Sequence, residues 1–167
     1  MSYRNLAIPG SRYLGSGRRR NDNIRGGSGK DDIYGGGDDD KIDGGSGKDD
    51  ISGGPGNDKI KGGSGKDDID GGPGEDKIDG GSGKDVIDGG EDDDKIKGGS
   101  GKDDIDAGPG EDKIDGGSGK DKCLNGEEVR NCESPCKPQR MKQKKDRDDS
   151  YKWTSKWKKW KAWKGNR

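Results

Sequence analysis

Residues 44–88 read GGSGKDDIS, GGPGNDKIK, GGSGKDDID, GGPGEDKID and GGSGKDVID, five nine-residue units joined without insertion or deletion. The same unit runs from Gly26 (GGSGKDDIY) to Leu124 (GGSGKDKCL), eleven copies that fill 99 of the 167 residues. A period this strict marks an array of stacked units, each too small to bury a core alone.

Each position of the unit has a physical role. Glycine at positions one, two and four permits a tight turn with positive φ. Asp38 and Asp92 replace the fourth glycine in two units, and aspartate is among the residues that tolerate a left-handed conformation. Positions seven to nine predict a three-residue strand with only the eighth side chain turned inward. Position eight is isoleucine from Ile33 to Ile114 and becomes Cys123 in the last copy. Position six is aspartate in every copy.

Only 20% of the chain is hydrophobic and 41% is charged, a mixture that by itself predicts disorder. Ten isoleucines are a thin core for about a hundred ordered residues, which points to a stabilising ligand. The chain has no histidine, which removes histidine-based catalysis and histidine metal sites. The net charge of −1 conceals a segregation: residues 1–25 carry +5, 26–124 carry −14, 125–136 carry −2 and 137–167 carry +10. An acidic array between basic ends points to a cation for the middle. For the tail it points to an anionic partner, or to the array itself.

The unit G-G-x-G-x-D-x-Ile-x resembles the repeats-in-toxin (RTX) nonapeptide, and the resemblance covers all eleven copies. It implies an all-β fold, a right-handed parallel β-roll in which two nonapeptides, eighteen residues, make one turn. It also implies Ca²⁺ between stacked turns, held by the position-six aspartates and by backbone carbonyls of the glycine loops. The carbonyl candidates are Gly27, Gly29, Gly45, Gly47, Gly54, Gly56, Gly63, Gly65, Gly72, Gly74, Gly81, Gly83, Gly99, Gly101, Gly108 and Gly110. Hard oxygen ligands in that number suit Ca²⁺ better than a transition metal.

Eighteen residues per turn sorts the aspartates into two columns. One is Asp31, Asp49, Asp67, Asp85, Asp103 and Asp121; the other is Asp40, Asp58, Asp76, Asp94 and Asp112. The first has five gaps and the second four, which predicts nine ions. Asp22, in the degenerate unit GRRRNDNIR (17–25), adds a tenth. Arg130, eighteen residues beyond Asp112, is expected to end that column with a guanidinium in place of the next cation. Without calcium, carboxylates stacked ~4.8 Å apart repel one another, so folding is expected to be a calcium-dependent switch. The competing reading is a low-complexity linker that never folds.

The period of eighteen is also visible in the residues alone. Position five is lysine in alternate units (Lys30, Lys48, Lys66, Lys84, Lys102, Lys120) and Asp39, Asn57, Glu75, Asp93 or Glu111 in the others. Position seven inverts this, with Lys41, Lys59, Lys77, Lys95 and Lys113 in the second set. The two sheets are therefore expected to have unlike outer faces, one mostly acidic and one mixed.

Residues 1–16 are read as an N-terminal segment without regular structure and 17–25 as a degenerate capping repeat. At the other end 125–136 reads as a cap, 137–149 as a polar linker and 150–167 as a Lys/Trp-rich amphipathic tail. Continuing the nine-residue register places Cys132, like Cys123, at position eight, and predicts a Cys123–Cys132 disulfide staple. Three pairings are possible with Cys136, and three reduced thiols are the alternative. Trp153, Trp157, Trp160 and Trp163 share one helical face. With Lys156 and Lys159 among the intervening lysines, this suits a membrane interface or an anionic polymer. A tail docked on the acidic sheet, or forming part of an export signal, is the plainer reading.

No N-terminal signal peptide is visible, since the longest apolar run near the start is Leu6–Ile8. The resemblance implies a secreted or cell-surface protein, with type I secretion the usual route, although this basic Trp-rich end departs from the typical C-terminal signal. No nucleophile–base constellation appears, and the expected role is a non-enzymatic calcium-binding structural or adhesive module, monomeric, without a small-molecule substrate. The alternative is a surface-attaching, lytic protein in which the roll carries the tail. Ice binding through a threonine ladder fails, because Thr154 is the single threonine.

Overall fold

The computed structural model describes residues 5–7, 12–14 and 21–133. They form two parallel sheets that face each other across a single line of isoleucines. The odd-numbered sheet holds β1 (Asn5–Ala7), β3 (Asn23–Ser28), β5 (Lys41–Gly47), β7 (Lys59–Gly65), β9 (Lys77–Gly83), β11 (Lys95–Gly101), β13 (Lys113–Gly119) and β15 (Glu128–Arg130). The even-numbered sheet holds β2 (Arg12–Leu14), β4 (Asp32–Tyr34), β6 (Asp50–Ser52), β8 (Asp68–Pro73), β10 (Val86–Glu91), β12 (Asp104–Asp106) and β14 (Lys122–Leu124). The chain alternates between sheets, so each strand pairs with the strand eighteen residues away: Ile42 with Ile60, Ile69 with Ile87.

Position eight decides what is inside. Every isoleucine from Ile24 to Ile114 is at most 4% exposed, and Cys123 continues the line. Its neighbours at positions seven and nine point outward because side chains alternate along a strand. The odd-numbered strands from β3 to β13, with β8 and β10 of the other sheet, are longer than the three residues predicted. β5 runs through Gly44–Gly47, because the glycine backbone continues the ladder beyond position nine.

The glycines are required where turns touch. At Gly45 (φ +105°) and Gly47 (φ +142°) the backbone is in a region that L side chains avoid. A Cβ on either would also run into the Gly27 or Gly29 carbonyl of the neighbouring turn. Asp38 (φ 72°) and Asp92 (φ 77°) take the left-handed conformation in place of a fourth-position glycine.

Both ends depart from the regular repeat. Two short strands lie within 1–16, where Leu6 pairs with Ile24 in β3, and Arg12 and Leu14 pair into β4 with a bulge. An open sheet edge offers backbone donors and acceptors to any extended segment, and such pairing needs no repeat motif.

At the C-terminal end the last turn is fifteen residues rather than eighteen. The loop before β13 has six residues (107–112), whereas Asn125, Gly126 and Glu127 reach β15 in three. Asn125 (φ 60°) makes that short turn possible. The register becomes Lys113–Glu128, Ile114–Val129 and Asp115–Arg130. Val129 is thus the position-eight residue of the last turn, not Cys132. Arg130 lies beside Asp115 on the outer face and does not end the Asp112 column. Cys123 and Cys132 are joined as a disulfide with Cα atoms 6.0 Å apart. Cys136 and the Trp/Lys tail (Trp153, Trp157, Trp160, Trp163, Lys156, Lys159) lie outside the described residues.

Candidate metal centre

The two corners of the roll are built by the position-six aspartates. Asp31, Asp40, Asp49, Asp58, Asp67, Asp76, Asp85, Asp94, Asp103, Asp112 and Asp121 are all at most 3% exposed, and Asp22 is 6% exposed. They enter the interior because position six shares its side of the backbone with position eight, and the glycine turn brings it round the corner toward the next layer.

From Asp40 to Asp121 each carboxylate splits its two oxygens between different tasks, whereas both oxygens of Asp31, the first of its column, are buried without a protein hydrogen bond. Oδ1 accepts a hydrogen bond from the backbone N–H of the aspartate eighteen residues earlier: Asp49 Oδ1 from Asp31 N at 3.0 Å, Asp76 Oδ1 from Asp58 N at 2.7 Å. The pattern repeats along both columns, up to Asp103 N with Asp121 Oδ1 at 2.9 Å. The aspartate carbonyls tie the turns as well, as in Asp50 N to Asp31 O at 2.9 Å. Oδ2 is different. From Asp31 to Asp121 all eleven Oδ2 atoms are buried and have no protein hydrogen-bond partner. A buried acceptor left this way costs on the order of 1–3 kcal/mol, more when charged, so eleven in one fold require a counterpart.

The space beside Oδ2 has a defined shape. A methyl group built on Gly44 would lie 2.6 Å from Gly62 O and 2.8 Å from Asp49 Oδ2. The same holds at Gly26, with Gly44 O at 2.6 Å and Asp31 Oδ2 at 2.7 Å, and again at Gly62, Gly80 and Gly98. Each first-position glycine leaves open a cradle between a carboxylate of its own turn and a carbonyl of the next. Among the described residues no three carboxylate or thiolate side chains converge. A cation there would take at most two aspartates and complete its shell with carbonyls, the donor set of a hard ion.

Burial dominates the electrostatics. Desolvation raises Asp76 to about 8, Asp94 to about 7, and Asp40, Asp58, Asp85 and Asp112 to about 6. It also raises Asp49, Asp67 and Asp103. The Oδ1 hydrogen bond opposes this shift, and neighbouring carboxylates mostly add to it. None of the ion pairs among the described residues reaches the columns between Asp31 and Asp121, so the stacked negative charge there selects a positive guest.

A family model, the RTX calcium-binding nonapeptide repeat, matches residues 16–51, 43–78, 61–96, 70–105, 79–114 and 97–127, and so spans 16–127, well over half of the chain. The chain belongs to the RTX calcium-binding repeat family. RTX repeats bind Ca²⁺, and this protein is a calcium-binding repeat protein with a parallel β-solenoid fold. Among curated proteins and among solved structures, nothing matches it.

Three features of the RTX columns escaped the sequence reading. The carbonyls flanking Oδ2 in the first column include those of first-position glycines (Gly44, Gly62, Gly80), whereas the resemblance drew attention to positions two and four. Glu127, not Arg130, follows Asp112: its Oε2 accepts the Asp112 N–H at 2.7 Å, the role Oδ1 plays elsewhere. Ala107 stands where every other copy of the unit has a first glycine, so a buried methyl group occupies the repeat position that elsewhere leaves the cradle open. The alanine is visible in the unit AGPGEDKID, but its meaning depends on knowing what the first glycine leaves open.

Proposed function

We propose that the protein is an extracellular calcium-responsive roll that folds when its columns fill, and that it serves as a structural or adhesive module without catalysis. The eleven buried Oδ2 atoms without partners carry this reading. Asp31 to Asp121 and Asp40 to Asp112, with Asp22 at the N-terminal end, would supply the side-chain ligands for about nine or ten Ca²⁺, and glycine-loop carbonyls the remainder. Bound calcium supplies the positive charge that lets the stacked carboxylates stay ionised inside the fold. The protein's part is to hold Oδ1 by the backbone N–H of the adjacent turn and present Oδ2 to the cradle.

The test is far-UV circular dichroism during calcium titration, with calorimetry for stoichiometry. A β-rich spectrum that appears with calcium and saturates near nine or ten ions supports the proposal. A spectrum already β-rich in excess chelator, or indifferent to millimolar Ca²⁺, ends it.

A second reading rests on Trp153, Trp157, Trp160 and Trp163, whose spacing of four, three and three makes one indole face on a helix. In this reading the roll delivers the tail to an anionic surface. Vesicle leakage or binding that is unchanged after deletion of residues 150–167 would eliminate it.

A further inference from the structure

The two faces of the roll have opposite charge. At the outward positions of the odd-numbered sheet from β3 to β15, nine basic side chains stand against four acidic ones, a net of +5. On the even-numbered sheet from β4 to β14, seven aspartates stand against Lys122 alone, a net of −6. The basic face has a regular skeleton. Lys41, Lys59, Lys77, Lys95 and Lys113 pair in register across five successive strands, with ammonium groups repeating about every 4.8 Å.

Like charges directly opposite one another destabilise a sheet, and little in the protein relieves this column. Lys113 pairs with Glu128 at 3.1 Å. The other ion pairs among the described residues involve Lys30, Lys120 and Lys122, so the four remaining column lysines have none. The far margin of the same sheet carries an exposed serine column, in which Ser64 Oγ donates to Ser46 Oγ at 3.3 Å. Two residues further on is a second exposed lysine column that includes Lys48 and Lys66. Two shallow depressions, of about 160 and 390 Å³, both lie on this face, one against Lys41 and Lys59 and the other against Lys77, Lys95 and Lys113.

Calcium changes what such a face attracts. On the reading above, nine ions add eighteen positive charges and take the whole chain from −1 to +17. A second copy offering its acidic face is disfavoured, because proteins so far from neutrality repel their own kind. Single-stranded nucleic acid is bound through aromatic stacking platforms, and among the described residues the exposed large apolar side chains, Tyr34 and Leu124, both belong to the other sheet, so the lysine face itself offers no such platform. What remains is a linear polyanion recognised by charge and hydroxyl contacts alone.

We propose that the calcium-loaded roll binds a sulfated polysaccharide along its odd-numbered sheet, with sulfates bridging lysines of adjacent turns, and that calcium loading switches this affinity on. The inference rests on the calcium reading above. The test uses the full chain and a defined heparin oligosaccharide, with affinity measured across a salt series in millimolar Ca²⁺ and in chelator.

Calcium is expected to raise affinity at least tenfold. The variant Lys59→Gln/Lys77→Gln/Lys95→Gln should lose that gain and flatten the slope of log K against log salt by about 2–3, the effect of three lost ionic contacts. The variant Lys156→Gln/Lys158→Gln/Lys159→Gln should lower affinity equally with and without calcium. Circular dichroism of each variant in calcium confirms the fold. If the fold responds to calcium but heparin affinity does not, or if the triple face variant binds like the parent, this inference alone is overturned. If circular dichroism shows no calcium response, both readings fail. Tighter binding of a single-stranded oligonucleotide of equal charge would overturn the assignment of partner.

Discussion

Asp49 and Asp50 are consecutive residues that the strand pleat sends to opposite environments. Asp49 is 1% exposed, spends one oxygen on the Asp31 backbone N–H and leaves the other unpartnered beside Gly62 O. Asp50 stands outside, at the start of β6, in a column with Asp32 and Asp68. Composition and charge are identical at the two positions. The difference lies in side-chain parity and in the glycine turn that folds position six inward. An acidic sequence becomes a cation site only where its carboxylates lose their water.

The sharpest way to break this contrast is to substitute each column separately. Asp58→Asn with Asp76→Asn should remove at least two ions by calorimetry. It should also lower stability in calcium by roughly 3–5 kcal/mol, the scale of breaking a buried charge interaction. Asp50→Asn with Asp68→Asn should stay within about 0.5 kcal/mol of the parent, as exposed substitutions do. Equal effects from the two pairs would show that burial does not distinguish them.

Acidification tests the same contrast without mutation. The interior carboxylates hold their protons more tightly in the fold than in the open chain, where aspartate titrates near 3.8. The calcium-free fold therefore gains stability as pH falls from about 8 toward 4, and loses it as pH rises through that window. Calcium competes with those protons, so its affinity should drop at least tenfold between pH 7.5 and 5.5 by calorimetry. An affinity constant across that range would mean that the interior aspartates are not the ligands.

The cradle supplies a finer comparison, between a glycine and an alanine at the same position. Gly44→Ala places a methyl group against Gly62 O and Asp49 Oδ2. It should cost roughly 1–3 kcal/mol as overpacking and reduce the calcium count by at least one. Ala107→Gly opens the cradle at Asp112 and should change stability by about 1 kcal/mol or less, with one more ion bound. Smallest in its reach is the staple: reduction of Cys123–Cys132 should lower stability by about 2–3 kcal/mol and fray only the last turn, read as amide exchange confined to β14 and β15.

Most of this architecture was legible because the period is exact in register. The eighteen-residue turn was visible in the alternation of Lys48 with Asn57 and Lys59 with Asp68. The inward isoleucines and aspartates followed from parity. The ends were less legible, for a definite reason. Extrapolating a period assumes that loops keep their length, and the loop at Asn125–Glu127 is shorter by three residues. That slip moved Glu127 beneath Asp112 and carried Arg130 to the outer face. Likewise β1 and β2 join by backbone pairing that no motif announces. The first-glycine cradle needed coordinates, since sequence shows that a side chain is absent but not what lies in the space it leaves.

Each position-six aspartate is clasped to the turn that follows it by both backbone groups: its amide donates to the next carboxylate, and its carbonyl accepts from the next turn, as Asp31 does with Asp49 Oδ1 and Asp50 N. The last clasp has the same form, with Asp112 held by Glu127 through its amide and by Glu127 and Glu128 through its carbonyl, on the turn that the Cys123–Cys132 cystine closes. Each aspartate thus uses its backbone to fasten its own turn to the next and its side chain to receive the turn before, so removing one carboxylate loosens a seam as well as emptying a cation site.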